Sequence, residues 1–192
     1  MSKEKKNFKV ICLTGGPGAG KTSVTDILNR QFANEYLVVQ ESASVLYKGG
    51  FPRAHNPEEM KCVQDAIYHT QLAAEAFAHL NSKGFRAMIC DRGTLDGAAY
   101  WPGTMANFLK TLDTNFKSEI ERYDLIIHLQ SPTADDGYDF SNPIRTESAS
   151  QARLLDTKIQ KVWHKHPQWK FVANKKSFIE KVEEVLAILR SI

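Results

Sequence analysis

Short apolar runs alternate with longer stretches of helical periodicity along this chain. Near-continuous apolar runs are typical of strands that are covered on both faces. Five such runs predict strands, at residues 8–14, 36–39, 86–90, 125–129 and 169–173. Strands that alternate with helices favour a parallel sheet with right-handed crossovers. The pattern therefore predicts an α/β fold with a three-layer, doubly wound, parallel five-stranded sheet.

The stretches between these runs predict helices with recognisable ends. Residues 21–33 have a helical period, and a longer helix begins at the N-cap Asn56, continues through Pro57 and ends at Gly84. Its buried face is predicted from the apolar period, at Met60, Val63, Ile67, Thr70, Ala74 and Phe77. A less regular helix is predicted over residues 104–120.

Two capping boxes begin the last two helices. Ser148 begins a helix that runs to His166, and Ser177 begins one that runs to the end of the chain. The apolar period of the last helix places Phe178, Val182, Val185, Leu189 and Ile192 on its inner face. Residues 131–147 contain a polar segment without periodicity, and a loop of that length in a compact domain is often a lid.

Composition and charge narrow the function classes. The 192 residues predict a single domain, and the net charge of +3 is too balanced to argue for nucleic acid as a partner. Cys12 and Cys90 lie in apolar runs and predict buried thiols of a reduced, cytoplasmic protein. The apolar run near the start is too short for a signal peptide core or a membrane span.

The segment between the first strand and the next helix carries the strongest chemical signal. It reads Gly15, Gly16, Pro17, Gly18, Ala19, Gly20, Lys21, Thr22 and Ser23, and it fits G-x-x-x-x-G-K-S/T. Glycines let backbone N–H groups turn inward and cradle phosphate oxygens. Lys21 is predicted to reach the β- and γ-phosphates of ATP, and the Thr22 hydroxyl to bind Mg²⁺. An ordinary glycine-rich turn is the alternative.

Acidic residues follow two of the predicted strands. Asp91 ends the third strand in the manner of a Walker-B aspartate and is predicted to hold Mg²⁺, although a turn aspartate is the alternative. Glu41 ends the second strand and is predicted to act as general base or to complete the metal's outer shell. The alternative for Glu41 is an acid at a helix start.

Arginines near the lid and after the strands complete the predicted site. Arg145 and Arg153 flank the lid and are expected to stabilise the charge of a transferring phosphoryl group. Arg53, Arg92 and Asp96 are predicted to bind the acceptor, with arginines for a phosphate and the aspartate for a ribose hydroxyl. The alternative for Arg153 is an ordinary ion pair with Asp156 or Glu147.

The remaining polar patterns carry weaker signals. His128 lies in a strand and is predicted to be a core histidine with satisfied hydrogen bonds, whereas His164 and His166 are predicted to be solvated. A basic stretch in the same region is a candidate lipid surface, and a solvated helix face is the favoured interpretation. It comprises Lys158, Lys161, Lys165 and Lys170, together with His164 and His166.

Five segments together resemble the NadR-type AAA domain family of P-loop kinase-like ATPases. They are GGPGAGKTS at 15–23, VQESA at 39–43, DRGTLDG at 91–97, NPIRTE at 142–147 and ARLLD at 152–156. That family includes nicotinamide riboside kinase domains and, in animals, proteins that bind GTP and phospholipid. The resemblance implies a nucleoside-kinase-like fold with strand order 2-3-1-4-5, bound Mg²⁺ and a mobile lid. It carries over functional roles for Lys21, Thr22, Asp91, Arg145 and Arg153.

Two departures from related proteins limit the function. The chain has no room for the second helical subdomain of AAA motors, and Ser177 stands where the guanine-binding motif N-K-x-D has its aspartate, which favours ATP. The first hypothesis is a kinase that transfers the γ-phosphoryl group of ATP to a nucleoside- or nucleotide-like small molecule. The second is a regulatory protein that binds or hydrolyses a nucleotide and has a protein or lipid partner.

Overall fold

The computed structural model describes residues 8–132, 148–175 and 177–192. Five strands form one sheet, in the order β2-β3-β1-β4-β5. They are β1 (Lys9–Thr14), β2 (Tyr36–Val39), β3 (Ala87–Asp91), β4 (Leu125–Leu129) and β5 (Trp169–Val172). All neighbouring strands pair in parallel. The predicted α/β class and the strand order implied by the resemblance are confirmed.

The register of the sheet places the chemical residues at one edge. Leu13 of β1 is level with Asp91 of β3, and Thr14 is level with His128 of β4. The carboxyl ends of three adjacent strands therefore meet beside the glycine-rich loop that follows Thr14.

Helices cover both faces of this sheet. They are α1 (Lys21–Gln31), α2 (Ser42–Lys48), α3 (Pro57–Leu80), α4 (Met105–Thr111), α5 (Phe116–Ile120), α6 (Ala149–Trp163) and α7 (Phe178–Arg190), and a 3-10 helix covers Thr94–Ala99. The predicted N-caps are confirmed, because Asn56, Ser148 and Ser177 each accept a hydrogen bond from the backbone N–H three residues later.

The core divides into two clusters because successive strand residues face opposite sides of the sheet. Ile11 and Leu13 pack in a cluster with α1 and α7, whereas Cys12 packs with Cys90 in a cluster on the other side. Trp163 of α6 is fully buried in that second cluster. The prediction that Cys12 and Cys90 are buried is confirmed.

Several helix predictions were wrong in detail. The helices α2 and the 3-10 helix were not predicted, and residues 104–120 form two short helices because Asn115 caps a new one. The helix α6 ends at Trp163, so His166 is buried and its Nε2 lies 2.9 Å from the carbonyl oxygen of Tyr123. The prediction that His166 is solvated was therefore wrong, whereas His164 is exposed.

The buried face of α3 also differs from the prediction. Phe77 is 70% exposed, while the buried positions are Val63, Gln64, Tyr68, Gln71 and Glu75. Most of the buried side chains on this helix are therefore polar or carry a hydroxyl. In α7 the predicted Val182, Val185 and Leu189 are buried, whereas Phe178 and Ile192 are largely exposed.

The length and apolarity of the helices bear on membrane association. Across the described parts of the chain, none of them is long and apolar enough to span a bilayer.

Candidate active site

The loop between β1 and α1 has the backbone of a phosphate-binding loop. Gly15, Gly18 and Gly20 all have positive φ angles, of 135°, 76° and 93°. A Cβ on Gly15 would collide with the carbonyl oxygen of Leu129, and one on Gly20 would collide with the Phe178 ring. Glycine is therefore required at both positions for conformation and for space. The loop ends at the N-terminus of α1, where backbone N–H groups and the helix dipole favour an anion.

Lys21 folds over this loop. The residue is 7% exposed, and its ammonium donates hydrogen bonds to the carbonyl oxygens of Gly15 and Gly16, at 2.8 and 2.9 Å. Burial, aided by the charge of Arg92, lowers the pKa of Lys21 to about 8, although Asp91 and Glu41 act in the opposite direction. The ammonium therefore lies where a phosphate anion in the loop would be its strongest partner.

A buried aspartate holds the loop from the side of α6. Asp156 accepts a hydrogen bond from the Gly16 N–H at 2.7 Å, and its Oδ1 lies 3.0 Å from Nε2 of His128. Its second oxygen accepts from the Ser131 N–H at 3.3 Å. Burial raises the pKa of Asp156, but the hydrogen bond and charge of His128 outweigh that effect and lower it. This carboxylate therefore joins the loop to α6 and to β4.

The hydrogen bonding of His128 differs from the prediction. It is fully buried and stacks on Phe171, as expected for a core histidine. Its Nε2 contacts Asp156, but its buried Nδ1 has no hydrogen-bond partner among the described residues. The prediction of a fully satisfied histidine is therefore wrong for one ring nitrogen.

A lysine holds the loop from the side of α7. The Lys181 ammonium is buried and donates to the carbonyl oxygens of Ala19 and Gln130, at 2.9 and 2.6 Å. It also donates to Oδ1 of Asn174 at 3.0 Å. This residue was missed in the sequence because it lies in an amphipathic helix rich in charged residues, and its only signal was a lysine on the predicted inner side.

The donors near the loop fit a magnesium ion. Asp91 is 1% exposed, and its buried Oδ1 has no hydrogen-bond partner among the residues described. Burial raises the pKa of Asp91 to about 6, with Lys21 opposing and Glu41 adding to the effect. A carboxylate oxygen and the exposed Thr22 hydroxyl are hard ligands of the kind that Mg²⁺ prefers.

These donors are too few to hold a metal without help. In residues 8–132, 148–175 and 177–192, no group of three His, Cys, Asp or Glu side chains forms a metal cluster. Mg²⁺ commonly uses one or two carboxylates together with phosphate oxygens, so the arrangement fits an ion that arrives with a nucleotide.

Glu41 and Arg92 form a partly buried ion pair beside the loop. Nε of Arg92 donates to Oε1 of Glu41, while Nη1 donates to Oδ2 of Asp96 at 3.2 Å and to the Gly15 carbonyl at 3.3 Å. Burial raises the pKa of Glu41, but the charges of Arg92 and Lys21 outweigh burial and lower it to about 2. Glu41 is therefore an ionised acceptor that Arg92 holds in place.

The other acceptor residues predicted from the sequence have different surroundings. Arg53 is exposed at the cavity wall, where its guanidinium lies 3.8 Å from the centroid of the Tyr47 ring. Asp96 is buried, and it accepts hydrogen bonds from the Thr14 hydroxyl, the Trp163 indole and Arg92. Asp96 thus supports Arg92, and its contact with an acceptor stays a prediction.

The lid residues are only partly described. Arg145 lies outside the described residues, as do residues 133–147 of the predicted lid. Arg153 is exposed near the start of α6, one turn before Asp156. The structure therefore places Arg153 on a helix that Asp156 ties to the phosphate loop.

One cavity of about 720 Å³ connects the phosphate loop with the Glu41–Arg92 pair and with α3. It runs from Pro17 and Thr22 of the loop, past Glu41 and Arg92, to the buried face of α3. That far wall was missed in the sequence and is formed by Met60, Gln64, Ile67, Tyr68 and Gln71, with Tyr47 and Tyr100 beside it. The polar positions of α3, spaced at helical intervals, were the signal for it.

Comparisons with known proteins agree with this architecture. A family model described as an AAA domain matches residues 10–181. No curated protein matches the chain significantly. A deoxyadenosine kinase from M. mycoides with dATP bound superposes with a TM-score of 0.57 at 15% identity, covering 95% of this chain and 99% of that chain.

The same kinase with the products dCMP and a flexible dCDP bound superposes with a TM-score of 0.56 at 16% identity, covering 95% of this chain and all of that chain. At such identity the likeness shows the fold. The chain therefore belongs to this AAA domain family of P-loop NTPases, and it shares its fold with that deoxyadenosine kinase.

Proposed function

We propose that the protein is an ATP-dependent phosphotransferase that moves the γ-phosphoryl group of ATP to a nucleoside- or nucleotide-like small molecule. One observation carries this proposal: a single cavity has the phosphate loop at one end, a polar and aromatic wall at the other, and the Glu41–Arg92 pair between them. Two substrates bound at the two ends would meet at that pair.

The loop end of the cavity binds the donor. Backbone N–H groups of the loop and the Lys21 ammonium would hold the phosphates, and Thr22 and Asp91 would hold Mg²⁺. Mg²⁺ held there would supply charge neutralisation at the phosphate oxygens. Lys21 needs only to turn from the carbonyl oxygens of Gly15 and Gly16 toward the phosphates.

The Glu41–Arg92 pair lies where the acceptor hydroxyl would bind. Glu41 accepts a hydrogen bond from that hydroxyl and orients it, and takes up its proton as the new P–O bond forms and the bond from the γ-phosphorus to the departing ADP breaks. With a pKa of about 2, Glu41 is a weak base before transfer begins. Orientation is therefore its main contribution, and Arg92 stabilises charge on the transferring group.

The far wall selects the acceptor. Tyr47 and Tyr100 offer aromatic faces. Gln64 offers an amide whose nitrogen donates a long hydrogen bond, of 3.6 Å, to the Met60 sulfur. A planar base fits such a wall. Arg53 at the cavity mouth binds a phosphate if the acceptor carries one.

Arg145 and Arg153 complete the proposal as residues that close over the transferring group. The exposed position of Arg153, one turn before the Asp156 that contacts Gly16, supports this role. The nucleotides bound to the structurally similar deoxyadenosine kinase, dATP and dCMP, support a nucleotide-related pair of substrates. Ser177 begins α7 as its N-cap, so the guanine-binding aspartate is absent from that position and ATP is the favoured donor.

A screen for acceptors tests the proposal. Purified protein is given Mg²⁺-ATP with nucleosides, nucleoside monophosphates and pyridine ribosides, and ADP release is followed with each. We expect at least one acceptor to stimulate ADP release, and Lys21→Ala to abolish the stimulation while the thermal unfolding curve stays cooperative. Tight nucleotide binding with slow hydrolysis and no stimulation by any acceptor would instead support the regulatory alternative.

A further inference from the structure

The Glu41–Arg92 pair has a common support beneath it. We propose that Gln71 of α3 is a positioning residue that sets the geometry of this pair for phosphoryl transfer. The inference rests on the proposed function for its kinetic consequences, but the contacts that carry it belong to the fold.

The Gln71 amide forms hydrogen bonds with the residue next to Glu41 and with the backbone of Arg92. Its Oε1 accepts a hydrogen bond from the Ser42 hydroxyl at 2.7 Å, and Ser42 directly follows Glu41 at the start of α2. Its Nε2 donates to the carbonyl oxygen of Arg92 at 3.3 Å. One side chain therefore connects the side chain of Ser42, the residue next to Glu41, with the backbone carbonyl of Arg92.

A buried carboxylate fixes the orientation of this amide. The Gln71 Nε2 also donates to Oε1 of Glu75 at 2.9 Å, and Glu75 in turn accepts from the Tyr123 hydroxyl and from Arg122. Gln71 and Glu75 are 3% and 4% exposed, so water cannot replace these bonds freely. A flipped amide would place its oxygen against Glu75. That orientation is unfavourable because an ionised carboxylate only accepts hydrogen bonds.

Arg92 needs such support because its backbone is strained. Its φ angle is 75°, in the left-handed region that favours glycine. Such a conformation persists only when its surroundings determine it, and the Gln71 amide is one of the groups that do so. The same conformation aims the guanidinium at Glu41 and Asp96.

A substitution of similar length tests the role. In Gln71→Met we expect kcat with the best acceptor to fall on the order of 10-fold, because the pair is displaced from its productive position. The Kd and KM for ATP should change less than about twofold, because the hydrogen bonds of Gln71 go to Ser42, Glu75 and Arg92 and not to the phosphate loop or Lys21. Gln168→Met makes the same chemical change at an exposed site outside the cavity and should leave all constants unchanged.

A double-mutant cycle shows whether Gln71 acts through Glu41. If it does, Glu41→Gln and the double variant Glu41→Gln, Gln71→Met should be about equally slow. Two losses that multiply would overturn the proposal. If Gln71→Met does not fold, Ser42→Ala removes one of the two connections with a smaller change in the core and takes its place in the cycle.

The free energy of unfolding separates this proposal from the proposed function. If the wild-type protein transfers phosphate to no acceptor, the proposed function fails, and the same cycle is read from denaturant unfolding. Coupling between Glu41→Gln and Gln71→Met then supports the positioning role, and additive effects overturn it.

Discussion

Lys21 shows how burial and neighbouring charges tune a single residue of the site. Its pKa of about 8 results mainly from burial, and the opposing charges of Asp91 and Glu41 prevent a larger fall. Phosphate binding favours the charged ammonium and raises this pKa. Below pH 8 the free protein is already protonated at Lys21, and above pH 8 binding must take up a proton. We therefore expect ATP affinity to fall above pH 8, by up to about 10-fold per pH unit.

Isothermal titration between about pH 7 and about pH 9.5 measures this dependence, and buffers of different ionisation enthalpy report the proton uptake. Lys21→Arg is the matched control because arginine keeps its charge over the whole range. Its ATP affinity, even if weaker, should not change with pH through this group. Equal slopes for the wild type and Lys21→Arg would contradict the assignment.

Residues whose chemistry is local in sequence could be predicted, and residues that act across the fold could not. Glycines, Lys21 and Thr22 form one contiguous motif, so their backbone and position followed from the sequence. Asp156 meets Gly16 across 140 residues, and Lys181 meets Ala19 across 162. Such contacts depend on the packing of helices against the sheet, which no local pattern contains.

At the scale of elements, apolar periodicity gave the existence of α3 but not its buried face. The helix presents Gln64, Gln71 and Glu75 inward because they meet a cavity and a polar network instead of an apolar core. A rule that assigns apolar residues to the inside fails at such a wall. The helix α2 was missed because its seven residues are too few to show a period.

The contact between α7 and the phosphate loop leads to a prediction at this scale. Lys181→Met keeps the length of the side chain but leaves the carbonyl oxygens of Ala19 and Gln130 without their donor. We expect the free energy of unfolding to fall by about 2–4 kcal/mol, because buried acceptors lose a charged partner. Nucleotide affinity should weaken as well, since Ala19 belongs to the loop.

Chemical denaturation and nucleotide titration of Lys181→Met measure both effects. Lys170→Met in the exposed part of β5 makes the same change away from the loop and should cost little in either measurement. An unchanged affinity in a clearly destabilised Lys181→Met would show that α7 supports the fold without shaping the nucleotide site.

At the scale of the whole molecule, the sheet order brings distant segments to one edge. The loop after β1, Asp91 at the end of β3 and the segment after β4 are neighbours because β1 lies between β3 and β4. The alternation of strands and helices was enough to predict the parallel sheet, while the order itself was implied by the resemblance. The cavity could not be predicted from the sequence, because its far wall lies on α3, and the order of the strands does not determine where that helix packs.

A substitution of Arg153 on α6 distinguishes the two candidate functions. Asp156 ties α6 to Gly16 of the phosphate loop, and Arg153 is exposed one turn earlier on the same helix. If the protein is a kinase, Arg153→Ala removes charge stabilisation from the transferring phosphoryl group, and kcat should fall by at least about 100-fold with a smaller change in ATP affinity. Lys158→Ala removes an equal charge from an exposed site on the same helix and should leave kcat unchanged. If both variants keep wild-type kcat with the best acceptor, Arg153 has no part in the transfer.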